Sequence, residues 1–167
     1  MIVADATPLI HLSRAGLAHL LPKLYQGVVV PRSVWAEAAE RGGPRAEAHV
    51  LEEAREHWLE VRELSPKQRK TSESLRRGAP VGQGEADVIA LASALGSPAL
   101  MDDRVAINLA RMKGVQTRWT TTVVLEARSH EILSPIDARH AIEDLIASGL
   151  WIRQDVLLRI LAALSEG

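Results

Sequence analysis

The feature that most constrains this chain is the recurring alternation of short apolar runs with helix signals. Ile2 to Ala4 is an apolar run ending in an acid, and Thr7-Pro8 follows as an N-cap with proline at the first helical position. A helical stretch over 9–25, interrupted near Gly16 and Pro22, leads into Gly27-Val28-Val29-Val30, a β-branched run bounded by Pro31. Ser33 opens a helix through Trp35, Glu37 and Ala39 that Gly42-Gly43 stops. From Pro44 onward Ala46, Val50, Ala54 and Trp58 recur every four residues, which predicts an amphipathic helix.

Leu59 to Leu64 alternates apolar and charged residues, as an extra or edge strand does, although the helix before it continuing is the other reading. Ser65 to Pro80 holds Lys67, Arg69, Lys70, Arg76 and Arg77 against Glu73, with Ser, Gly and Pro among them, and reads as an exposed basic excursion. Gly82-Gln83-Gly84 leads into a helix over 85–95 that Gly96 stops, and Pro98 to Met101 is a short buried strand with Asp102 and Asp103 at its end. A helix over 104–113 closes at Gly114, as a left-handed cap position favours. Val115 to Trp119 is extended again, and beyond Thr120 the chain is helical, with Ser134-Pro135 capping one segment and Gly149 separating it from a last helix over 154–164.

Strand–helix alternation of this kind predicts an α/β fold: a parallel sheet with right-handed crossovers and helices on both faces. At 167 residues a single domain is the natural reading, with a core over 1–130 and a helical extension over 131–167. The absence of cysteine removes disulfides and thiolate metal sites and is in keeping with a reducing cytoplasm. The opening residues lack a basic leader and meet an acid at position 5, and no apolar run approaches the ~20 residues of a membrane span, so a soluble, cytoplasmic protein is expected. A net charge of −1 gives no general attraction to nucleic acid, so any such contact must be local.

In an open parallel sheet, ligands bind at the carboxyl ends of the strands. Asp5 ends the first strand and Asp102 with Asp103 ends the third, while Glu85 and Asp87 lie in the first turn of the helix before that strand. Glu37 sits among apolar and small residues after the second strand, an odd context for a merely solvated acid. Carboxylates converging to about 4 Å repel by roughly 4 kcal/mol per pair at an effective dielectric near 20. A divalent cation relieves that repulsion, and all-oxygen ligation selects Mg²⁺ or Mn²⁺ over zinc.

These residues also carry a resemblance. Ile2-Val3-Ala4-Asp5-Ala6-Thr7-Pro8-Leu9-Ile10 resembles the opening of a PIN domain, and Val30-Pro31 through Val34 and Glu37 its second acidic motif. Glu85-Ala86-Asp87-Val88-Ile89-Ala90-Leu91-Ala92 resembles the third and Leu100-Met101-Asp102-Asp103-Arg104 the fourth, most similar to the PIN-like branch of prokaryotic proteins related to VapC toxins. The resemblance implies a PIN-like, Rossmann-like three-layer α/β/α fold with a mostly parallel sheet of four to five strands. It further implies an endoribonuclease in which Asp5, Glu37, Asp87 and Asp103 bind metal and an activated water attacks the phosphodiester, with 5′-phosphate and 3′-hydroxyl products. Thr7 would order the first carboxylate or a water. Two departures from the toxin pattern leave choices open: Glu85 stands beside Asp87, and Asp102 beside Asp103.

Each acid also has a structural reading. Asp5 alone would be a turn acid, and Glu37 an exposed helix residue. Glu85 or Asp87 would stabilise a helix macrodipole by about 0.3 to 1 kcal/mol, and Asp103 would be an N-cap that leaves Asp102 as the ligand. The histidines show no zinc-like pairing, and the stretch from Lys67 to Arg77, with Arg104 next, offers the best contacts for RNA phosphates. The apolar residues Trp151, Ile152, Val156, Leu157, Ile160, Leu161 and Leu164 predict a homodimer face or a groove for an antitoxin helix, with packing inside the monomer as the alternative. Two rival functions remain: a PIN-like RNA-binding or interaction module without turnover, and a phosphohydrolase acting on nucleotides or monoesters.

Overall fold

The computed structural model describes residues 1–41 and 45–165. A stop at Gly42-Gly43 and a start at Pro44 lie outside the described residues. Among the described residues the sheet has five strands, β1 (Ile2–Ala4), β2 (Val28–Pro31), β3 (Leu59–Arg62), β4 (Ala99–Leu100) and β5 (Thr117–Arg118), in the order β3-β2-β1-β4-β5. Every pairing is parallel, and the layers form the three-layer α/β/α arrangement. The first three strands are laid out in one direction from β1 and the last two in the other. That reversal makes the carboxyl end of β1 a topological switch point, where an open α/β sheet forms its crevice.

Strand chemistry follows position. The central strands β1 and β2 are buried throughout, as β-branched runs covered on both faces should be, whereas the edge strand β3 exposes Glu60. The alternation over 59–64 therefore marks an edge strand, not the continuation of a helix. Helix α6 (Gln83–Leu95) packs against β1, β2 and β4. Its residues from Ala86 to Ala92 are all buried, so it is apolar on nearly every side. Gly96 stops it, as the sequence predicts, in a left-handed conformation with φ +60°. Gly114 does the same after α7 (Arg104–Met112), with φ +75°.

Several local expectations are corrected. Asp5, not Thr7, is the N-cap of α1 (Ala6–Arg14), because the chain leaves β1 and turns into the helix without an intervening residue. Pro22 lies inside α2 (Leu20–Leu24), where its missing N–H falls in the first turn and costs nothing. Helix α3 (Arg32–Trp35) begins one residue before Ser33 and runs on as a π turn over Ala36–Glu40. In α4 (Ala46–His57) the buried residues are Glu47, Ala48, Leu51 and Ala54, so Ala46 and Val50 face out and the stripe is rotated from the one expected.

The basic excursion is a regular helix, α5 (Pro66–Gly78), that packs on α6 through Ser72 and Leu75. Its start is a reciprocal capping box: Gln68 N donates to Ser65 Oγ at 3.3 Å, and Ser65 N donates to Gln68 Oε1 at 2.7 Å. Ser65→Ala is expected to lower stability by about 1 kcal/mol, read as a shift in urea midpoint at unchanged slope. Helices α8 (Thr120–Ser129), α9 (Pro135–Ala147) and α10 (Gln154–Ser165) follow β5. Ile160 and Leu164 of α10 enter the main hydrophobic cluster, while Trp151 before it and Leu158 on it are 80% and 60% exposed.

Candidate active site

The carboxyl edge of the sheet gathers acids from four elements. Asp5 is fixed first, because its N–H donates to Leu100 O of β4 at 2.9 Å and ties the end of β1 to its neighbour. Its side chain is buried, 7% exposed, and accepts from the Ala6 N–H at the start of α1. Burial pushes its pKa up to about 7; the Ala6 N–H opposes this, and the charges of Glu85, Glu37 and Asp102 add to it. A carboxylate hidden from water beside three others holds its proton tightly.

Glu37 comes from the π turn, whose wider winding is often found at functional sites. Its meeting with Asp5 depends on Gly84. A methyl group on Gly84 would stand 3.6 Å from Asp5 Oδ1, 3.6 Å from Glu37 Oε2 and 3.4 Å from Val34 Cγ2. Both carboxylates therefore border the same bare stretch of backbone, and a larger side chain at 84 would enter the space they share.

Glu85 is half-buried and accepts from the Gly82 N–H at 2.6 Å, closing the first turn of α6. Burial raises its pKa, the Gly82 N–H opposes that, and the charges of Asp103 and Glu37 push it further up. Asp102 is held at both oxygens by Thr120 at the start of α8. The Thr120 N–H donates to Oδ1 at 2.9 Å and its hydroxyl donates to Oδ2 at 2.6 Å. Burial raises the Asp102 pKa, with these two bonds working against the rise and the nearby His11 ring also lowering it. Asp103 is exposed, caps α7 by accepting from Ala106 N at 2.8 Å, and faces Glu85 electrostatically.

Asp87 points elsewhere. Its carboxylate accepts from Ser33 Oγ and Ser72 Oγ, each at 2.5 Å, and so knits α3 and α5 onto α6. The charge of Glu85 acts on Asp5, whereas both oxygens of Asp87 are engaged by the two serines. Thr7 is exposed and makes no side-chain hydrogen bond among the described residues; the Ala6 N–H does the work expected of it. Arg104 is exposed next to Asp103. Lys67, Arg69, Lys70, Arg76 and Arg77 all lie on α5 with exposed side chains.

A family model described as PIN domain matches residues 1–166. The chain belongs to the PIN domain family. No curated protein matches it significantly. PIN domains are generally nucleases that use divalent metal and bind RNA, and this PIN domain has the acids at the sheet edge where such chemistry belongs. Among the described residues no three acidic or histidine side chains stand at finished metal-ligand spacing. The donor set itself fits a hard divalent cation: it offers oxygen donors only, burial raises the pKa of three of them, and neighbouring carboxylates add to that rise at Asp5 and Glu85.

Thr120, Gly84 and the serine pair are what the sequence reading missed. Thr120 had a signal, since a hydroxyl residue directly after an extended segment and before a helix is placed to bind the acid ending the adjacent strand. As it is fully buried, Thr120→Val is expected to keep the fold while loosening Asp102. RNA cleavage should then fall about tenfold, with Thr120→Ser restoring most of it.

Proposed function

We propose that this PIN domain is an endoribonuclease dependent on Mg²⁺ or Mn²⁺, and that it serves as the toxin of a toxin–antitoxin pair in the cytoplasm. The observation that carries the reading is the buried Asp5 carboxylate, bordering Glu37 across Gly84 and feeling the charges of Glu85 and Asp102. Asp5, Glu37 and Glu85 would hold the ion, with Asp102 and Asp103 at its margin. A divalent ion bound there supplies the positive charge that activates a water and steadies the departing oxygen.

The remaining work falls to the chain itself. Thr120 fixes Asp102 through two bonds, so that carboxylate is oriented before substrate arrives. Gly84 leaves the floor of the crevice open for a phosphodiester. Asp87 braces the helix that carries Glu85. Hydrolysis places the water oxygen on phosphorus and releases the 3′ oxygen, giving a 5′-phosphate and a 3′-hydroxyl. Exposed Trp151 and Leu158 supply apolar surface for an antitoxin helix or a second copy of the chain.

The test is cleavage of single-stranded RNA with Mg²⁺ or Mn²⁺, with product ends identified. Cleavage that stops with chelator and with Asp5→Asn supports the proposal. A second reading is an RNA-binding or interaction module without turnover. RNA binding without cleavage by folded protein in either metal would establish it. Turnover of phosphate monoesters but not of RNA would point to a phosphohydrolase instead.

A further inference from the structure

Beside the acid crevice lies a cavity of about 460 Å³, formed where α3, the π turn, α5 and the start of α6 meet. It adjoins the site through two residues: Ala36 precedes Glu37, and Gln83 precedes Gly84. Its volume is within the range of small-ligand pockets, roughly 300 to 1,000 Å³. Arg32, Arg41, Arg69 and Arg76 line it. Arg32 is already paired with Glu40 at 2.9 Å. Arg41, Arg69 and Arg76 make no ion pair among the described residues.

Arg69 and Arg76 are two turns apart on one face of α5. Glu73 lies between them, and Glu63 also lines the cavity, yet among the described residues neither closes an ion pair with an arginine. Guanidinium groups left free at a concave surface match a phosphate, which they grip with two parallel N–H donors. The polar lining includes Asp87, Ser33 and Ser72. Both serine hydroxyls spend their protons on Asp87, so that group of three has only acceptor lone pairs left to offer. Such a surface accepts from an exocyclic amino group and repels a carbonyl oxygen.

We infer that this cavity is a nucleotide subsite flanking the point of cleavage: Arg69 and Arg76 hold a backbone phosphate of single-stranded RNA, and the Asp87–Ser33–Ser72 group reads a base bearing an amino group. The inference rests on the nuclease reading for its place beside the scissile bond, but binding tests it separately. α5 then supplies the substrate contact that a chain of net charge −1 must make locally.

The experiment measures fluorescence anisotropy of labelled oligoadenylate, oligocytidylate and oligouridylate eight-mers in chelator, so that no cleavage occurs. Arg69→Ala/Arg76→Ala is expected to weaken oligoadenylate binding roughly ten- to thirtyfold near 0.1 M salt and to flatten the salt dependence by about 0.7 in log–log slope, the value for one phosphate. Lys67→Ala/Arg77→Ala removes the same charge from α5 outside the cavity lining and is expected to lose less than threefold. Wild-type protein should bind oligoadenylate and oligocytidylate more tightly than oligouridylate. Equal losses from the two double variants, or no loss from the first, overturn the subsite. Equal affinity for the three oligomers overturns its base reading. If wild type binds as described but never cleaves with metal, the subsite stands and the nuclease reading falls. If cleavage depends on Asp5 while Arg69→Ala/Arg76→Ala binds as wild type does, the nuclease stands and the subsite falls.

Discussion

Asp5→Asn is expected to raise the melting temperature of the metal-free protein at pH 8 and, in the same molecule, to abolish RNA cleavage. The folded protein holds the Asp5 proton up to about pH 7, whereas the unfolded chain releases it near 3.8. Between those values the native state binds more protons than the unfolded one, so stability falls as pH rises through that window and is lowest above it. The side chain is buried, so the cost is scarcely screened. A shift of this size corresponds to about 2 to 4 kcal/mol. An amide keeps the acceptor for the Ala6 N–H and never ionises, which predicts a rise of roughly 5 to 10 °C at pH 8 and little change at pH 4. Calorimetry at the two pH values checks it, and a variant no more stable than wild type at pH 8 would remove the argument that the crevice is electrostatically strained. Mg²⁺ should stabilise wild type more at pH 8 than at pH 5 and leave the variant unmoved.

Asp87→Ala should instead lower the melting temperature. Removing this carboxylate leaves the hydroxyls of Ser33 and Ser72 without their acceptor at the junction of α3, α5 and α6. An unmet buried polar group costs about 1 to 3 kcal/mol, and two share this one. A loss of roughly 3 kcal/mol is expected, a drop of about 6 to 12 °C in melting temperature for a domain of this size. Glu85→Gln, by contrast, should leave stability unchanged or slightly higher and remove most cleavage. If Asp87→Ala melts like wild type while its cleavage vanishes, Asp87 belongs with the reacting groups and the placement of Glu85 there is wrong.

The contrast between Glu85 and Asp87 marks the limit of what was legible in the sequence. Acids at strand ends were readable because a parallel strand delivers the residue after it to one edge whatever the helices do. Asp5 and Asp102 needed only that rule. Two acids two positions apart on a helix point about 200° away from each other, so choosing between them requires the helix phase. An amphipathic helix reveals its phase, but α6 is buried all round from Ala86 to Ala92 and reveals none. The same reason hid α5. With Ser72 and Leu75 as its buried residues, periodicity had little to report, and the signal lay instead in the Ser65-Pro66-Lys67-Gln68 cap. The rotated stripe of α4 arose because Glu47 is buried there, paired with Arg14 at 2.7 Å, and a charged residue does not announce itself as core.

The strand order has a consequence for how the molecule is made. β1 is flanked by β2 on one side and β4 on the other, so Asp5 and Glu37 leave the ribosome well before Glu85, Asp102 and the Thr120 that secures it. At a synthesis rate of roughly 5 to 20 residues per second, the first half of the crevice waits for seconds for the second. On the proposed nuclease reading, a nascent chain of this protein is therefore inert towards the transcript it is being read from until nearly all of the sheet has been translated.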